Sequence, residues 1–526
     1  MKHGGTAVRR KHENGRYRLA GEPARLSLRA WIGENGLLLL AAGIALVHAL
    51  TNGQYGFHRD ELDILMNARQ LDWGYVAYPP LTPFVARIGL ALFGDWLPGL
   101  RLFSAMGQGV AALLVGLMAR DLGGGRAAQL LAALAAAAAP AALMAGTLIQ
   151  YMSFDYLWWV LLSFCLVRLI HTDDARWWLG AGAAIGLGMM TKYTLAFFVA
   201  GVVTAVFLTS LRRHLRSPWL WAGAGLALLL YLPNLLWQVQ HDFIALDFLG
   251  AIHERDVSIG RTDTFLLDQL YVANNPFFLP LWLAGLLYCW LHPVGKRFRA
   301  LGWAFVVSLA LFWAARGRGY YLAPAYAMLV AAGAVWWEGW LRGRAPRRQR
   351  LGWRFSWLLA GLAGAAGLVL VKPIVPINSA LWSVTSRVNS EVTEMLGWPD
   401  LVAQVAAVYE TIPEAERART AVLAGNYGEA GALDLYGPAY GLPRVISGSN
   451  SLWARGYGDP EPETVIVVGF QAQYATLFFK SCRLSGRVTN RYDVPNEETT
   501  RHTGLYVCRQ PRQPWAQMWP RMQWFQ

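Results

Sequence analysis

A chain of 526 residues, 55% of them hydrophobic and 25 of them tryptophan, is too apolar for an ordinary soluble protein and is typical of a polytopic membrane protein. Its formal net charge of +14 does not indicate a nucleic-acid partner, because the excess of Lys and Arg lies in the N-terminal arm and between apolar segments. From residue 378 onward the charges balance, with 13 Lys and Arg against 14 Asp and Glu.

The first 35 residues carry eight Lys or Arg residues and precede the first long apolar run, Leu37 to Leu50. We find no small-residue cleavage site, so residues 1–35 are expected to form a basic cytoplasmic arm; a cleavable signal peptide is the alternative. Between residues 36 and 376, apolar runs of about 17 to 25 residues predict membrane-spanning helices. The six arginines from Arg342 to Arg354 mark the cytoplasmic side most strongly. The pattern predicts about eleven spans, with the N terminus inside and the C terminus outside.

The first outer loop, residues 53–96, is an unusual connection between two membrane helices. It begins GQYGFHRDELDILMNARQLDWGYVAYPPLTP and places the carboxylates of Asp60 and Glu61 beside His58 and Arg59. Ordinary connections are shorter and carry no such cluster. Ionisable groups at the membrane edge are costly unless they face a partner or a cavity, so this loop is the first candidate for a functional site.

The predicted topology brings further polar groups to the same side of the membrane as this loop. They are Asp155, Lys192, the loop 238–264, Arg316 and Arg318. Each has a simpler interpretation when taken alone: Asp155 as a helix N-cap, Lys192 as an interfacial anchor, the arginines as ordinary loop charges. Their convergence on one face favours a single site.

From residue 377 the sequence changes character, and no apolar run is long enough to cross a membrane. Helix-like stretches at 426–435 and 471–479 alternate with short apolar runs of strand length, which lie at 421–424, 445–446, 464–468 and 504–507. This alternation predicts a small α/β domain, residues 377–526, on the outer face. The turn Gly425–Gly431 follows a strand and opens a helix, but its glycine spacing does not match a nucleotide-binding motif.

Cysteine and histidine residues give few further signals. Cys165 and Cys289 fall in predicted spans and are expected to be buried hydrophobes. Cys482 and Cys508 lie in the C-terminal domain; a disulfide between them is predicted if that domain faces an oxidising compartment, and two free thiols are the alternative. We assign no metal ligands and no certain cofactor. A divalent metal stays an open alternative, since oxygen and imidazole groups occur together at His241-Asp242 and His253-Glu254, although solvated loop residues are favoured.

Several segments together resemble bacterial membrane glycosyltransferases of the GT-C superfamily, in particular the protein-mannosyltransferase and aminoarabinose-transferase group, families 39 and 83. The segments, spread over residues 37 to 450, are YGFHRDELDILMNARQLDWGYVAYPPLTP, QYMSFDYLWW, TKYT, LPNLLWQ, RGRGYYLAPAYAMLVAAGA and NYGEAGALDLYG. The resemblance implies a polyprenyl-phosphate-linked sugar as donor within the membrane lipid. It also implies an acceptor glycolipid, polysaccharide or protein on the outer face of the bacterial plasma membrane.

The resemblance also implies roles for matching positions. The catalytic carboxylates would be Asp60, its neighbour Glu61, and Asp155. The residues near the donor phosphate would be Arg59, Lys192, Arg316 and Arg318. We assign the substrate cavity to His58, Tyr78, Tyr320 and Tyr321. One departure from the family pattern is Ala77-Tyr78 before the Pro-Pro pair, where many relatives have a charged or amide residue that would contact a metal or phosphate.

The chemistry expected of this inventory is an inverting sugar transfer. One carboxylate, Asp60, would take the proton of the acceptor while the lipid phosphate leaves as an anion held by cations. Inversion is expected from the resemblance and from the lack of an obvious second nucleophile. The competing class is a transporter or flippase of a lipid-linked sugar, which would be expected to show internal repeats and charges near the membrane midplane. We find no repeat, and the charges cluster at one edge.

Overall fold

The computed structural model describes residues 28–526, with side chains from residue 35 onward. Residues 1–27, which include most of the predicted cytoplasmic arm, lie outside the described residues. The described chain has a helical part that ends at Val371 and a C-terminal domain built around one β-sheet.

The helical part of the described chain contains sixteen α-helices. They are α1 (Leu28–Thr51), α2 (Arg59–Arg69), α3 (Leu81–Phe93), α4 (Leu97–Asp121), α5 (Arg126–Ala137), α6 (Pro140–Ala145), α7 (Tyr151–Thr172), α8 (Trp177–Met189), α9 (Leu195–Leu208), α10 (Pro218–Gln240), α11 (Ile244–Ser258), α12 (Phe265–Tyr271), α13 (Leu279–Leu291), α14 (Arg299–Ala314), α15 (Tyr326–Arg342) and α16 (Pro346–Val371).

Five helical segments of the described chain are long and apolar enough to cross a membrane: α4, α7, α10, α16 and the segment Gly295–Ala314, which includes α14. The number rises to seven if two bent pairs, at residues 195–216 and 265–291, each form one span. The count of about eleven predicted from apolar runs is therefore not confirmed. One reason is that some apolar runs do not fold as unbroken helices. The apolar run from residue 127 to about residue 148, which by its length predicts one span, is divided into α5 and α6 at Pro140, which begins the second helix.

The first outer loop folds into α2 and α3, neither of which is long enough to span a membrane. Helix α2 begins at a capping box in which the His58 side chain accepts a hydrogen bond from the Asp60 backbone N–H at 3.2 Å. The Glu61 carboxylate accepts one from the His58 backbone N–H at 2.8 Å. These bonds satisfy amides that the first helical turn would leave unpaired, so the sequence HRDE starts the helix at Arg59.

The C-terminal domain contains the remaining elements. They are α17 (Ala380–Val388), α18 (Trp398–Glu410), α19 (Glu414–Arg417), β1 (Thr420–Ala424), α20 (Tyr427–Tyr436), β2 (Val445–Ile446), α21 (Asn450–Trp453), β3 (Thr464–Val468), α22 (Ala472–Phe478), β4 (Phe479–Arg487), α23 (Glu497–Thr500), β5 (Gly504–Pro511) and α24 (Trp515–Met518). The sheet order is β2-β1-β3-β5-β4. Strands β1, β2 and β3 are parallel, whereas β5 runs antiparallel to β3 and to β4.

All four predicted strands of this domain are present, and the structure adds β4. That strand was missed because it forms the sheet edge, where five of its nine residues are exposed, and its sequence FKSCRLSGR lacks a continuous apolar run. Cys482 of β4 and Cys508 of β5 face each other in register and form the predicted disulfide. The free-thiol alternative is therefore wrong.

The two faces of the sheet have different neighbours. One face packs on the aromatic side chains of α22 and α24. The other face packs against α18 and α20 of the same domain and against α2 of the helical part, and all of them share one apolar cluster. The C-terminal domain is thus packed directly on the helix that carries Asp60.

Candidate active site

A polar cavity of about 720 Å³ lies where α2, the turn between α8 and α9, helix α11 and the C-terminal domain meet. Its carboxylates come from α2 and the C-terminal domain: Asp60, Asp63, Glu391, Glu394 and Glu497. Basic side chains come mainly from elements of the helical part: Arg59, Lys192, Arg255, Arg261 and Arg318, with Arg501 from the C-terminal domain. The cavity therefore has acidic and basic groups drawn from elements far apart in sequence.

Asp60 lies in the first turn of α2 and faces this cavity, with 25% of its side chain exposed. Its Oδ1 accepts a hydrogen bond from the Tyr427 hydroxyl at 2.9 Å. Burial and the nearby carboxylate raise the pKa of Tyr427 well above its ordinary value, so Tyr427 stays protonated and donates. One carboxylate oxygen is thereby fixed by the C-terminal domain.

Two glycines of α20 let Tyr427 reach Asp60. A Cβ at Gly431 would lie 2.6 Å from the Leu62 Cβ, and one at Gly428 would lie 2.9 Å from the Arg59 Cβ. The backbones of α20 and α2 can approach this closely only because these two positions lack a side chain. The glycine-rich turn that resembled a phosphate-binding loop is therefore explained by helix packing.

Arg59 and His58 are held by carboxylates of the C-terminal domain. Arg59 donates to Glu497 and lies 3.7 Å from Glu394, so its charge is already neutralised. His58 Nε2 lies 3.0 Å from the Glu391 carboxylate, and this hydrogen bond lowers the pKa of Glu391 to about 2. Burial lowers the pKa of His58, but the bond to Glu391 and the charge of Asp60 outweigh it, and the net shift is upward. Both side chains line the cavity.

Glu61 does not line the cavity, although it adjoins Asp60. Its side chain is fully buried and accepts two hydrogen bonds from Arg101, at 2.9 and 2.6 Å, and one from the Ile149 backbone N–H at 2.8 Å. Together with the bond from the His58 backbone N–H, four donors converge on this carboxylate. Such an arrangement fixes the start of α2 and leaves no free oxygen for substrate. Arg101 was not singled out from the sequence, although an arginine within an apolar run was a usable signal.

Asp155 lies in the second turn of α7 and is also outside the cavity lining. Gln150, not Asp155, is the N-cap residue of that helix, so the interpretation of Asp155 as a cap is wrong. Its Oδ1 accepts a hydrogen bond from the Trp159 indole at 3.0 Å.

Lys192 lines the cavity and lies among three tyrosine rings. Its Nζ is 4.1 Å from the ring centre of Tyr321, 5.0 Å from Tyr151 and 5.2 Å from Tyr320. Within the described part of the chain, no carboxylate lies close enough to form a salt bridge with Lys192. Cation–π contacts of this kind hold an ammonium group in place while leaving its charge available to an anion. Tyr321 lines the cavity. Tyr320 is not part of the lining, but it contacts Lys192 and Arg318, which are.

The two arginines predicted near the phosphate differ in position. Arg318 lines the cavity, donates to Asp256 at 2.5 Å and lies 3.3 Å from the Tyr320 hydroxyl. Arg316 is exposed and is not part of the lining. Arg261, which the sequence analysis did not identify, lines the cavity and forms no salt bridge in the described chain. It lies in the loop 238–264 that was expected to converge on the site.

Tyr78 lies in the cavity lining and contacts a carboxylate that was not predicted. Its hydroxyl donates to Asp63 and accepts from the Asn67 side chain at 2.6 Å. Asp63 is one helical turn after Asp60, and this spacing was the available signal for it.

The residues considered for a divalent metal do not come together. Within the described residues, no group of three or more His, Cys, Asp or Glu side chains is arranged to hold a metal ion. The His241 ring stacks on Trp237 with ring centres 3.9 Å apart, and His253 and Glu254 are exposed on α11. Among the described residues, these side chains therefore do not form a cluster of metal ligands.

Comparison with known proteins gives sequence matches to two related groups. A family model described as dolichyl-phosphate-mannose-protein mannosyltransferase matches residues 77–237. Two relatives in Pseudomonas fluorescens are both named undecaprenyl phosphate-alpha-4-amino-4-deoxy-L-arabinose arabinosyl transferase 1. The one from strain Pf-5 is 35% identical over 171 residues, which is 30% of each chain. The one from strain Pf0-1 is 29% identical over 317 residues, which is 56% of this chain and 54% of the relative. The alignments thus span at most about half the length of these relatives.

Solved structures match over much more of the chain. The structure of ArnT from Cupriavidus metallidurans bound to undecaprenyl phosphate matches with a TM-score of 0.55 and 17% identity, and its apo state with 0.57 and 15%. Both matches cover 90% of this chain and 98% of the other. The archaeal oligosaccharyltransferase AglB from Archaeoglobus fulgidus matches with a TM-score of 0.50 and 14% identity, over 85% of this chain and 71% of AglB. At these identities the likeness establishes the fold.

The fold is therefore that of ArnT over most of the chain, and the sequence is similar, over part of its length, to protein mannosyltransferases and aminoarabinose transferases. These matches confirm the resemblance to that group of the GT-C superfamily found in the sequence motifs.

Proposed function

We propose that this protein is a membrane glycosyltransferase that moves a sugar from a polyprenyl-phosphate donor to an acceptor on the outer face of the bacterial plasma membrane. The observation that carries the proposal is the cavity whose lining Asp60 shares with three cations, Lys192, Arg261 and Arg318. A carboxylate and an anion-binding group in one polar cavity are the two components that transfer from a phosphate leaving group requires.

In this proposal the donor phosphate binds to Lys192 and Arg261. Neither forms a salt bridge within the described residues, so both have charge to offer, whereas Arg318 is paired with Asp256 and acts mainly through its field. Phe248, Leu249 and Ile252 of α11 line the same cavity and provide an apolar surface along which the prenyl chain can continue into the bilayer.

Asp60 acts as the general base. Its free oxygen accepts the proton of the acceptor hydroxyl or amine while the acceptor atom forms a bond to the anomeric carbon. The bond from that carbon to the phosphate oxygen breaks, and polyprenyl phosphate leaves as an anion stabilised by the cations. Tyr427 and the capping box hold the carboxylate in position, because they fix one of its oxygens and the start of α2.

A single displacement of this kind inverts the anomeric configuration. We expect NMR of the product to show the configuration opposite to that of the donor. A product that retains the donor configuration would contradict the assignment of Asp60 as base in a one-step transfer.

We assign the acceptor to the part of the cavity formed by the C-terminal domain. It contributes Glu391, Glu394 and Glu497 to the cavity, while the donor cations Lys192 and Arg261 come from the helical part. We therefore infer that an acceptor glycolipid, polysaccharide or protein enters along the C-terminal domain, on the periplasmic side of a multi-pass inner membrane protein.

A turnover assay tests the proposed function. Purified wild type, Asp60→Asn and Glu254→Gln would be incubated with undecaprenyl phosphate carrying a monosaccharide and with a cell-envelope extract, and released undecaprenyl phosphate would be measured. Glu254 is an exposed carboxylate on α11 outside the cavity lining and serves as the matched control. We expect release with wild type and the control, and a loss of at least about 100-fold for Asp60→Asn. Equal release by all three proteins would contradict the proposal, and undiminished lipid flux in proteoliposomes of the Asp60 variant would favour a transporter.

A further inference from the structure

Asp63 is a second carboxylate on the same face of α2 as Asp60. The two positions are three residues apart, so their side chains project from neighbouring turns, and both line the cavity. Asp63 is the more deeply placed of the two, with 5% of the residue exposed. Nothing in the reaction described above uses it.

The two oxygens of Asp63 have unequal surroundings. Oδ2 accepts a hydrogen bond from the Tyr78 hydroxyl, whereas Oδ1 has no hydrogen-bond partner among the described residues. A carboxylate oxygen that is buried without a donor is costly to maintain, because it has lost water and gained nothing in return. A ligand that brings an O–H or N–H group to Oδ1 would remove that cost.

The side chain is also held in one orientation. Tyr78 donates to Asp63 and accepts from Asn67 Nδ2 at 2.6 Å, and Asn67 Oδ1 accepts from Arg455 of the C-terminal domain at 2.7 Å. This series of hydrogen bonds fixes which oxygen of Asp63 is occupied by protein and which is left free. Because the Asp63 side chain is already fixed by hydrogen bonds, it loses little conformational entropy when a ligand binds.

The position of Asp63 relative to Lys192 indicates which part of the ligand it meets. The Tyr78 ring lies 5.7 Å from the Tyr151 ring, and Lys192 Nζ lies 5.0 Å from the same Tyr151 ring. Asp63 is therefore separated from the proposed phosphate-binding lysine by two tyrosines. The sugar of a lipid-linked donor is attached directly to its phosphate, so the sugar is the part of the donor that extends from Lys192 past these tyrosines.

We propose that Asp63 recognises the donor sugar, by accepting at Oδ1 a hydrogen bond from a hydroxyl or ammonium group of that sugar. The inference rests on the proposed function, because it assumes a polyprenyl-phosphate-linked sugar in the cavity. It assigns Asp60 to the reacting atoms and Asp63 to sugar selection, which separates the roles of two carboxylates on one helix.

Substitution of Asp63 by asparagine tests the assignment with little change in shape. The Tyr78 hydroxyl needs an acceptor, so the amide oxygen of Asn would take the place of Oδ2 and the amide NH₂ would take the place of Oδ1. The variant thus presents an uncharged N–H donor where the wild type presents a carboxylate oxygen acceptor. Full-length wild type and Asp63→Asn would be placed in lipid nanodiscs and titrated with undecaprenyl phosphate and with undecaprenyl phosphate carrying glucose, mannose, galactose or 4-amino-4-deoxy-L-arabinose.

We expect the variant to bind the preferred sugar-carrying lipid about tenfold or more weakly than wild type, and undecaprenyl phosphate equally well. Unchanged binding of undecaprenyl phosphate also shows that the variant is folded. A loss seen only with the amino sugar identifies an ammonium group at Oδ1, and a loss with neutral sugars identifies a hydroxyl.

Two results would overturn the inference while leaving the proposed function in place. One is an equal loss for both kinds of lipid, which would mean that Asp63 only supports the structure. The other is unchanged binding of every sugar-carrying lipid. A wild type that binds neither kind of lipid would contradict the proposed function itself, and the inference would fail with it.

Discussion

Asp60 and Glu61 are adjacent in the sequence, yet their surroundings differ sharply. Successive residues of an α-helix project about 100° apart, so one faces the cavity and the other faces the helical part of the protein. Asp60 has one oxygen bound to Tyr427, whereas Glu61 is fully buried and bound by Arg101 and two backbone amides. The pair therefore combines a carboxylate that faces the cavity, which is the proposed base, with one that fixes the start of α2.

This difference predicts opposite phenotypes for two conservative variants. Asp60→Asn should abolish sugar transfer and leave the melting temperature close to that of wild type. Glu61→Gln should leave the Arg101 charge buried without its partner and destabilise the protein by about 3–5 kcal/mol. Thermal unfolding in detergent, measured beside the transfer assay, checks both. A stable Glu61→Gln protein without activity would indicate that Glu61 acts in the reaction.

A second prediction concerns the cationic side chains of the cavity. Lys192→Gln should weaken undecaprenyl phosphate binding about tenfold, because it removes an unpaired charge from the proposed phosphate site. Arg316→Gln should have little effect, since Arg316 is exposed and outside the cavity lining. Affinity measured in nanodiscs distinguishes the two. Equal losses would mean that the phosphate binds elsewhere or that general surface charge attracts it.

The sequence indicated the place of the cavity, because an acidic pair at a membrane edge is unusual in itself. Of the predicted site residues, seven line the cavity and four do not: His58, Arg59, Asp60, Tyr78, Lys192, Arg318 and Tyr321 are in the lining, while Glu61, Asp155, Arg316 and Tyr320 are outside it. The sequence could not show which face of a short helix points to solvent. Nor could it identify Tyr427, which reaches Asp60 across 367 positions of the chain.

At the scale of elements, the contact between α20 and α2 determines the geometry of the site. Gly428 and Gly431 stand three residues apart on one face of α20 and allow it to lie directly against Arg59 and Leu62. The β1 strand and the Asn426–Glu429 capping box set the start of α20, which brings Tyr427 to Asp60. The glycines of NYGEAGALDLYG are thus explained by close packing.

A methyl group at this contact should disturb both stability and activity. Gly431→Ala places a Cβ 2.6 Å from the Leu62 Cβ, so α20 must shift, and we expect a destabilisation of about 1–3 kcal/mol together with reduced transfer. Gly361→Ala in α16 is the control, because a Cβ there meets no atom within 4 Å. Melting temperatures and initial rates of the two variants check the prediction. Wild-type behaviour of Gly431→Ala would contradict the close contact.

At the scale of the whole molecule, the helical part and the C-terminal domain meet through an apolar cluster and through charges. Arg59 of α2 is bound by Glu497, 438 residues away in the sequence. The alternation of strands and helices predicted the C-terminal domain from its local sequence. The docking of this domain on α2 could not be predicted, because it depends on contacts between residues hundreds of positions apart in the sequence. Such contacts leave no repeating pattern of apolar and polar residues.

This interface should make stability depend on pH. Burial raises the pKa of Glu498 to about 7; the charge of Arg59 opposes this shift, and the charges of Glu394 and Glu497 add to it. Burial and the charge of Glu498 raise the pKa of Glu429 to about 8. A carboxyl group with a raised pKa in the folded state favours folding when protonated. That stability is fully present below the ordinary pKa of about 4.5 and is lost as the pH rises through 7 to 8.

In the Glu498→Gln variant, the free energy of unfolding should therefore fall less between about pH 5 and pH 8 than it does in wild type. The difference between the two falls should be on the order of 1–2 kcal/mol by pH 8. The groups that face Glu498 are Arg59, Glu394, Glu497 and Glu429, and they are retained in the variant. Glu410→Gln, at an exposed position on α18, is the control. Thermal unfolding across this pH range checks the sign. A steeper fall of stability with pH in the Glu498→Gln variant would mean that the Glu498 carboxylate of wild type is ionised in the folded protein.

The most direct test of the central claim is native mass spectrometry of the lipid that co-purifies with Asp60→Asn and with wild type. We expect the inactive variant to retain a polyprenyl phosphate that carries a sugar, and we expect wild type to convert this lipid to polyprenyl phosphate when envelope extract is added. If neither protein retains or consumes such a lipid, the cavity does not bind the proposed donor, and the assignment as a glycosyltransferase is contradicted.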